Sequence, residues 1–300
     1  MEERPILVLG ASGFLGPHLV AAARDAGARV AAASRSPERA PVVASRAAHE
    51  LHRWDALRDG ATEALLDRVG PRAIVLAAAL SRAEACERDP EQARALNEEL
   101  PGRVAGLARA RGVRLVHLST DLVFGARPPA HERYSETDEP SPMHAYGRSK
   151  AAGEARVLAA DARGLVIRLP LLYGDSFGRG LGATDQVLAA LEHDGRPVLF
   201  TDEWRTPLEA GDAARAVIEL VSADANGILH VAGPVRLSRH ELGLELLHAR
   251  GIAPDRVRAG SRAAAALSAP WPGDVSLDSS RARMLLGTPL RAPRAALAVR

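Results

Sequence analysis

Ile6-Leu-Val-Leu9-Gly10-Ala-Ser12-Gly13-Phe14-Leu15-Gly16 is the stretch on which the fold turns. Four apolar residues suit a strand buried on both faces. Three glycines at G-x-x-G-x-x-G spacing follow with no spacer, and a helical pattern opens directly behind them. Glycine allows the tight turn, the close approach of backbone to a pyrophosphate, and close packing of helix on strand. The helix N-terminus adds N–H groups and the positive end of its dipole. Gly10, Ser12, Gly13, Phe14, Leu15 and Gly16 are therefore the candidate phosphate-binding residues.

The rest of the chain continues that rhythm. Short apolar runs predict strands over Pro5–Leu9, Arg29–Ala33, Glu50–His52, Ala73–Ala77, Arg114–Leu118, Leu165–Leu169 and Ile228–Val231. Helical patterns lie near 14–25, 62–69, 91–110, 147–160 and 210–222. Alternation of this kind implies an α/β fold, a doubly wound parallel (Rossmann) sheet with helices on both faces. Residues 125–145, rich in Pro, Glu and Ser, read as a long loop. Gly and Pro punctuate 174–208 and 233–300, which read as a smaller C-terminal substrate-binding lobe. The expected division is 1–173 plus 209–232 for the nucleotide-binding domain and 174–208 plus 233–300 for the lobe.

Composition excludes several classes. The 300 residues are 47% hydrophobic but only 3% aromatic, so Ala, Val and Leu must fill the core. The net charge is +2 and acids interleave with bases, which argues against nucleic-acid binding. A single cysteine, Cys86, excludes an internal disulfide and Cys-rich zinc sites, and no His spacing suggests a metal. No apolar run approaches the ~20 residues that span a bilayer, and the N-terminus has no signal-peptide pattern. A cytoplasmic protein without membrane association is expected.

Two positions speak to cofactor and chemistry. At the end of the second predicted strand, where an acid would take the ribose 2′-hydroxyl of NAD, the chain has Ser34-Arg35. A hydroxyl and a guanidinium suit a 2′-phosphate, so NADP(H) is expected, with NAD(H) the alternative; Arg35 is otherwise one more surface arginine. Asp55, after the third strand, suits either the adenine amino group or an ordinary turn. The 39 basic residues include one lysine, Lys150, and it stands four residues after Tyr146. Residues i and i+4 share a helix face, and a nearby cation makes a phenol more acidic by stabilising its phenolate. A tyrosine so tuned can protonate an alkoxide forming from a carbonyl. Ser119-Thr120-Asp121 closes the fifth strand, where hydroxyls could hold that oxygen or cap a turn.

Taken together, these segments resemble the extended short-chain dehydrogenase/reductases, in particular the dTDP-4-dehydrorhamnose reductase group, over nearly the whole length. The segments that carry the likeness are Gly10–Gly16, Leu76-Ala77-Ala78-Ala79, Glu84–Pro90 with Asn97, His117–Gly125, Ala145–Glu154, Ile167–Gly174 and Asp202–Pro207 with Asp212. The resemblance implies Thr120, Tyr146 and Lys150 as the catalytic set and Ala77, Ala78 and Ala79 as the cofactor wall. Tyr146 and Lys150 would also touch the cofactor. Ser119, Tyr173, Trp204 and Arg205 are the candidate substrate contacts, Arg205 alternatively anchoring its lobe through a surface pair. It further implies NADPH-dependent reduction of a nucleotide-activated 4-keto-6-deoxysugar, and a homodimer. Leu122 and Leu76 depart from the family pattern, the second suggesting a modified cofactor wall. Two other readings stand beside the reductase. One is a sugar-nucleotide epimerase with bound NAD; the other is a non-catalytic NADP-binding subunit like that accompanying methionine adenosyltransferase.

Overall fold

A computed structural model describes residues 4–41, 46–125, 133–192, 195–265 and 270–298. Seven strands form one sheet: β1 (Ile6–Leu9), β2 (Val30–Ser34), β3 (Glu50–Arg53), β4 (Ala73–Leu76), β5 (Arg114–Thr120), β6 (Leu165–Leu169) and β7 (Gly227–His230). Their order is β7-β6-β5-β4-β1-β2-β3. The β1–β2, β2–β3, β1–β4 and β4–β5 pairs are parallel. The seven-stranded, mostly parallel Rossmann-like sheet is the one the alternating pattern predicts.

Burial explains the sequence signal. All four residues of β1 (ILVL) and of β4 (AIVL) are buried, because helices cover both faces of these central strands. The edge strand β3 reads ELHR and alternates half-buried with exposed positions. Charge on a sheet edge discourages pairing with another chain.

The chain divides into two compact units. The first comprises 1–120, 144–168 and 214–229. Its core joins Leu7, Leu9, Ile74, Leu76 and Leu115 of the sheet to Leu100, Val104 and Val157 of the covering helices. Those helices include α1 (Gly16–Asp25), α2 (Ala61–Val69), α3 (Leu100–Ala110) and α4 (Ala145–Ala160). A single helix was expected over 91–110, but a wider π-helical turn occupies Ala95–Glu99. Pro101 is the physical reason: it has no N–H for the carbonyl of Asn97 four residues back. Gly153 of α4 faces that carbonyl so closely that a Cβ would overlap it.

The second unit comprises 121–143, 169–213 and 230–300. Thus 121–143, expected in the nucleotide-binding domain, belongs here. Among its described residues, Tyr134 donates its N–H to the carbonyl of Ser276 (2.8 Å) and accepts at its own carbonyl from Asp278 (2.8 Å). The Tyr134 ring stacks on Phe124 at 4.1 Å. Part of the expected loop, 126–132, lies outside the described residues. Helices α5 (Ala183–Glu192) and α6 (Arg239–Ala249) build this unit's core with Tyr173, Val187, Leu191, Leu242, Leu246 and Leu247. A reciprocal capping box opens α6: Ser238 Oγ accepts from Glu241 N (3.1 Å) and Glu241 Oε2 accepts from Ser238 N (2.7 Å).

Candidate active site

Sheet register brings the candidate residues of the first unit to one edge. Leu9 pairs with Ala33 and with Leu76, and Leu76 pairs with His117. The segments that follow, starting at Gly10, Ser34, Ala77 and Leu118, therefore emerge together at the carboxyl ends of the strands. The order changes direction at β1, with β2 on one side and β4 on the other. This is where doubly wound sheets bind ligands.

Two of the loop's glycines are required there. Gly10 has φ +99°, and a Cβ on it would lie 2.6 Å from the Ala78 nitrogen. A Cβ on Gly16 would lie 2.5 Å from the Gly10 carbonyl oxygen. The turn is closed by Gly13 N donating to Gly10 O (3.0 Å) and hung from β2 by Gly10 N donating to Ala33 O (2.9 Å). No side chain caps the α1 N-terminus at Leu15. A helix start without a side-chain cap, behind a backbone with no room for a Cβ, is a cradle suited to phosphate. Ala77 and Ala78, half-buried, and the exposed Ala79 leave β4 against this turn, and Ala77 N donates to Leu9 O (2.8 Å). Leu76, in contrast, is fully buried in the core cluster. Its side chain packs in the hydrophobic core.

Ser34 is buried at the end of β2, and Arg35 beyond it is exposed. Among the described residues the Arg35 guanidinium has no hydrogen-bond or ion-pair partner, while its carbonyl accepts from Arg53 Nη1 (2.9 Å). Asp55 is exposed, and its Oδ1 accepts from Leu57 N (3.1 Å). Of its two readings, the turn acid describes this geometry.

The helix α4 carries Tyr146 and Lys150 one turn apart. Its buried residues are Gly147, Ser149, Lys150, Gly153, Glu154 and Val157. Lys150 is 2% exposed, and its Nζ donates to Leu118 O (2.7 Å) and lies 3.2 Å from His117 Nε2. Burial lowers its amine to about 8, with the Glu154 carboxylate opposing the fall. Thr120, buried, ends β5. Ser119, as buried as Thr120, donates its hydroxyl to Glu154 Oε1. Glu154 also takes Arg168 Nε (3.0 Å) and Nη2 (2.7 Å), both side chains being almost wholly buried.

Three polar neighbours of these residues were given no site role by the sequence reading. Asn97 accepts from Leu80 N (2.9 Å) and donates to Leu80 O (2.9 Å) and Ser149 Oγ (3.1 Å). It thereby ties the segment that follows Ala79 to α4. His117 is the second, and its position inside the matched His117–Gly125 segment was the available signal. His144 is the third: fully buried, it caps α4, its Nδ1 accepting from Gly147 N (3.1 Å). Its ring stacks near Tyr146, with centroids 6.2 Å apart and planes at 22°. A bare Nδ1 is needed for that cap, so His144→Ala should cost about 1 kcal/mol of stability, and His144→Asn, a strong capping residue, far less. Urea unfolding of the two variants checks this; equal losses would show that the cap contributes nothing.

In the second unit two of the expected substrate contacts, Tyr173 and Arg205, are buried. The Tyr173 side chain is fully buried among Val187, Leu191 and Leu242, and burial with nearby Glu209 raises its phenol well above the ordinary range. Arg205 is 3% exposed and is taken up internally. Its guanidinium donates to the carbonyls of Trp204 (2.7 Å) and Pro272 (3.3 Å), and it pairs with Glu203 (3.4 Å) and Asp121 (3.6 Å). It anchors the unit, though through a buried network where a surface pair was expected. Trp204 is half-buried with the Arg236 guanidinium 3.9 Å over its ring. Cys86 is also internal: its Sγ donates to Leu80 O (3.2 Å), and burial pushes the thiol up to about 11. Among the described residues no group of His, Cys, Asp and Glu could hold a metal ion, and no helix is long and apolar enough to cross a membrane.

The sequence profile of the RmlD substrate binding domain matches residues 4–299. The chain belongs to the RmlD family. It is accordingly an extended short-chain dehydrogenase/reductase, an NAD(P)-dependent oxidoreductase of the sugar-nucleotide reductase kind. Among RmlD-family relatives, the dTDP-4-dehydrorhamnose reductase of Mycobacterium tuberculosis is 33% identical over 300 residues, covering 98% of this chain and 91% of its own. The probable low-salt glycan biosynthesis reductase Agl14 of Haloferax volcanii is 32% identical over 249 residues, covering 81% and 79%. The crystal structure of a hypothetical dTDP-4-dehydrorhamnose reductase from Sulfolobus tokodaii superposes with a TM-score of 0.81 at 29% identity, covering 96% of this chain and 97% of that one.

Proposed function

We propose that this protein reduces a nucleotide-activated 4-keto-6-deoxysugar with NADPH, Tyr146 giving the proton. The observation that carries the reading is the sole lysine of the chain, buried at the carboxyl end of β5 one turn from a half-buried tyrosine. The cradle fits the dinucleotide, since Gly10 and Gly16 leave backbone where a Cβ would stand and no side chain caps α1. Bound there, the reduced nicotinamide supplies the hydride. The protein's own groups do the rest. Thr120 donates a hydrogen bond to the carbonyl oxygen, holding it as negative charge develops. Tyr146 passes its phenolic proton to that oxygen. Lys150, protonated at neutral pH, stabilises the phenolate left behind. A 4,6-dehydratase needs an acid after the Thr120-Asp121 pair, and Leu122 stands there, so reduction is favoured over dehydration.

Arg35, with Ser34 beside it, sets the preference for the 2′-phosphate. Arg35→Asp should weaken NADPH about 10-fold or more while sparing NADH, the scale of one charge-assisted bond. Titrating both cofactors by nicotinamide fluorescence checks it; a parallel loss for the two would free Arg35 of this role. The reaction itself is tested with a panel of nucleotide ketosugars, scoring loss of reduced-nicotinamide absorbance. Turnover of a 4-keto-6-deoxy substrate is expected. No turnover on any member, with a stoichiometric protein partner recovered, would favour the regulatory-subunit reading; copurified, non-exchanging NAD would favour the epimerase.

A further inference from the structure

His117 has no place in the chemistry above, yet it is buried at the heart of the site. It lies on β5 with 0% exposure, beside Leu76 of β4 in register. Its Nε2 is 3.2 Å from Lys150 Nζ, and its Nδ1 is buried with no hydrogen-bond partner among the described residues. A polar ring in this position is costly for packing alone, where a leucine like its neighbour would serve. Among the described residues the one polar contact of its side chain is the amine. We propose that His117 is a positioning residue for Lys150: a neutral imidazole whose bare Nε2 receives the ammonium and holds it, with Leu118 O, on the end of β5.

The chemistry fixes the tautomer. An ammonium has three donors and no lone pair. Nε2 can only accept from it, so the ring proton must sit on Nδ1. Two of the three N–H groups are then taken by His117 and Leu118 O, leaving one for the site. Burial, and then the Lys150 charge, keep the imidazole neutral, its ionisation lying well below the ordinary range.

The sign of the effect follows from the groups that face the amine. Burial disfavours its charge; Glu154, on the same helix, favours it. Glu154 is itself held by Arg168 of β6 and Ser119 of β5, and Tyr146 stands one turn back on α4. A bond from Nζ to Nε2 also favours the charged amine. Removing the acceptor therefore lets Lys150 lose its proton at lower pH, and turnover is then lost earlier as pH rises.

The inference rests on Lys150 tuning Tyr146, but its test does not depend on turnover. With one lysine in the chain, lysine labelled with ¹³C and ¹⁵N reports a single side chain. In His117→Leu the Lys150 titration midpoint should fall by about one pH unit, the scale of a hydrogen bond to a charged group. The alkaline limb of kcat should move with it. His117→Gln, whose side-chain oxygen takes the place of Nε2, should recover most of the shift. A leucine variant that titrates like the wild type overturns the proposal. If that variant does not fold, ¹⁵N-histidine spectra of the wild-type protein decide: the Nδ1–H tautomer at His117 supports it, and the Nε2–H tautomer overturns it. A shifted midpoint in a protein that reduces no ketosugar upholds His117 and removes the reductase reading.

Discussion

Tyr146→Phe should cut ketosugar reduction by ~10²-fold or more, the usual scale for losing a general acid, while leaving NADPH affinity nearly unchanged. The substitution removes one oxygen. The ring remains against His144 (centroids 6.2 Å apart), and the cap from His144 to Gly147 N does not involve the phenol. Ser149 Oγ donates to the Tyr146 carbonyl (2.9 Å), a main-chain contact the variant keeps. The helix should therefore stand, and the loss should fall on kcat. Single-turnover hydride transfer, measured beside a fluorescence titration of NADPH, separates the two quantities. Near-wild-type turnover in this variant would remove Tyr146 from the mechanism, and an equal loss of cofactor binding would make it a binding residue.

That prediction rests on a helix which hydrophobic patterning describes poorly. The buried face of α4 is Gly147, Ser149, Lys150, Gly153, Glu154 and Val157, and only one of these is a large apolar residue. Its apolar period is nearly flat, so the i, i+4 spacing of Tyr146 and Lys150 adds weight to a weak helical pattern over 147–160. The strands were legible for the opposite reason. With helices on both faces, β1 and β4 need unbroken apolar runs, and the sequence has them. The glycine loop was legible because its constraints are local: a positive φ at Gly10 and two missing Cβ atoms.

The second unit was less legible. Its strands at 172–173, 204–205, 208–209 and 237–238 are two residues long, too short to alternate. Arg205 carries the wider lesson. An arginine in a matched segment invites a ligand, but Glu203 and Asp121, one of them 84 residues away in sequence, already occupy it. Ser119 follows the same pattern, its partner Glu154 lying 35 residues on. Local sequence shows which groups are polar; it does not show which of them have satisfied one another.

Glu154 and Arg168 are the extreme case, and they carry the largest expected effect on stability. Their side chains are 3% and 1% exposed, joined by Arg168 Nε and Nη2 to both carboxylate oxygens. A buried pair gains little over an apolar substitute, because desolvation offsets the attraction, but losing one member strands the other's charge. Arg168→Met keeps most of the volume and removes the cation, so it should cost ~3–5 kcal/mol. The Ser119 hydroxyl is too small a partner to make good that loss, and the Lys150 amine, though Glu154 favours its charge, is bonded to Leu118 O and lies against His117 Nε2. Adding Glu154→Gln neutralises the stranded group while still accepting from Ser119, and the double variant should recover most of the stability. Urea unfolding of the two variants measures it. A loss below about 1 kcal/mol in Arg168→Met, the range of an exposed pair, would mean that water reaches the site and that α4 is held to β6 by packing alone.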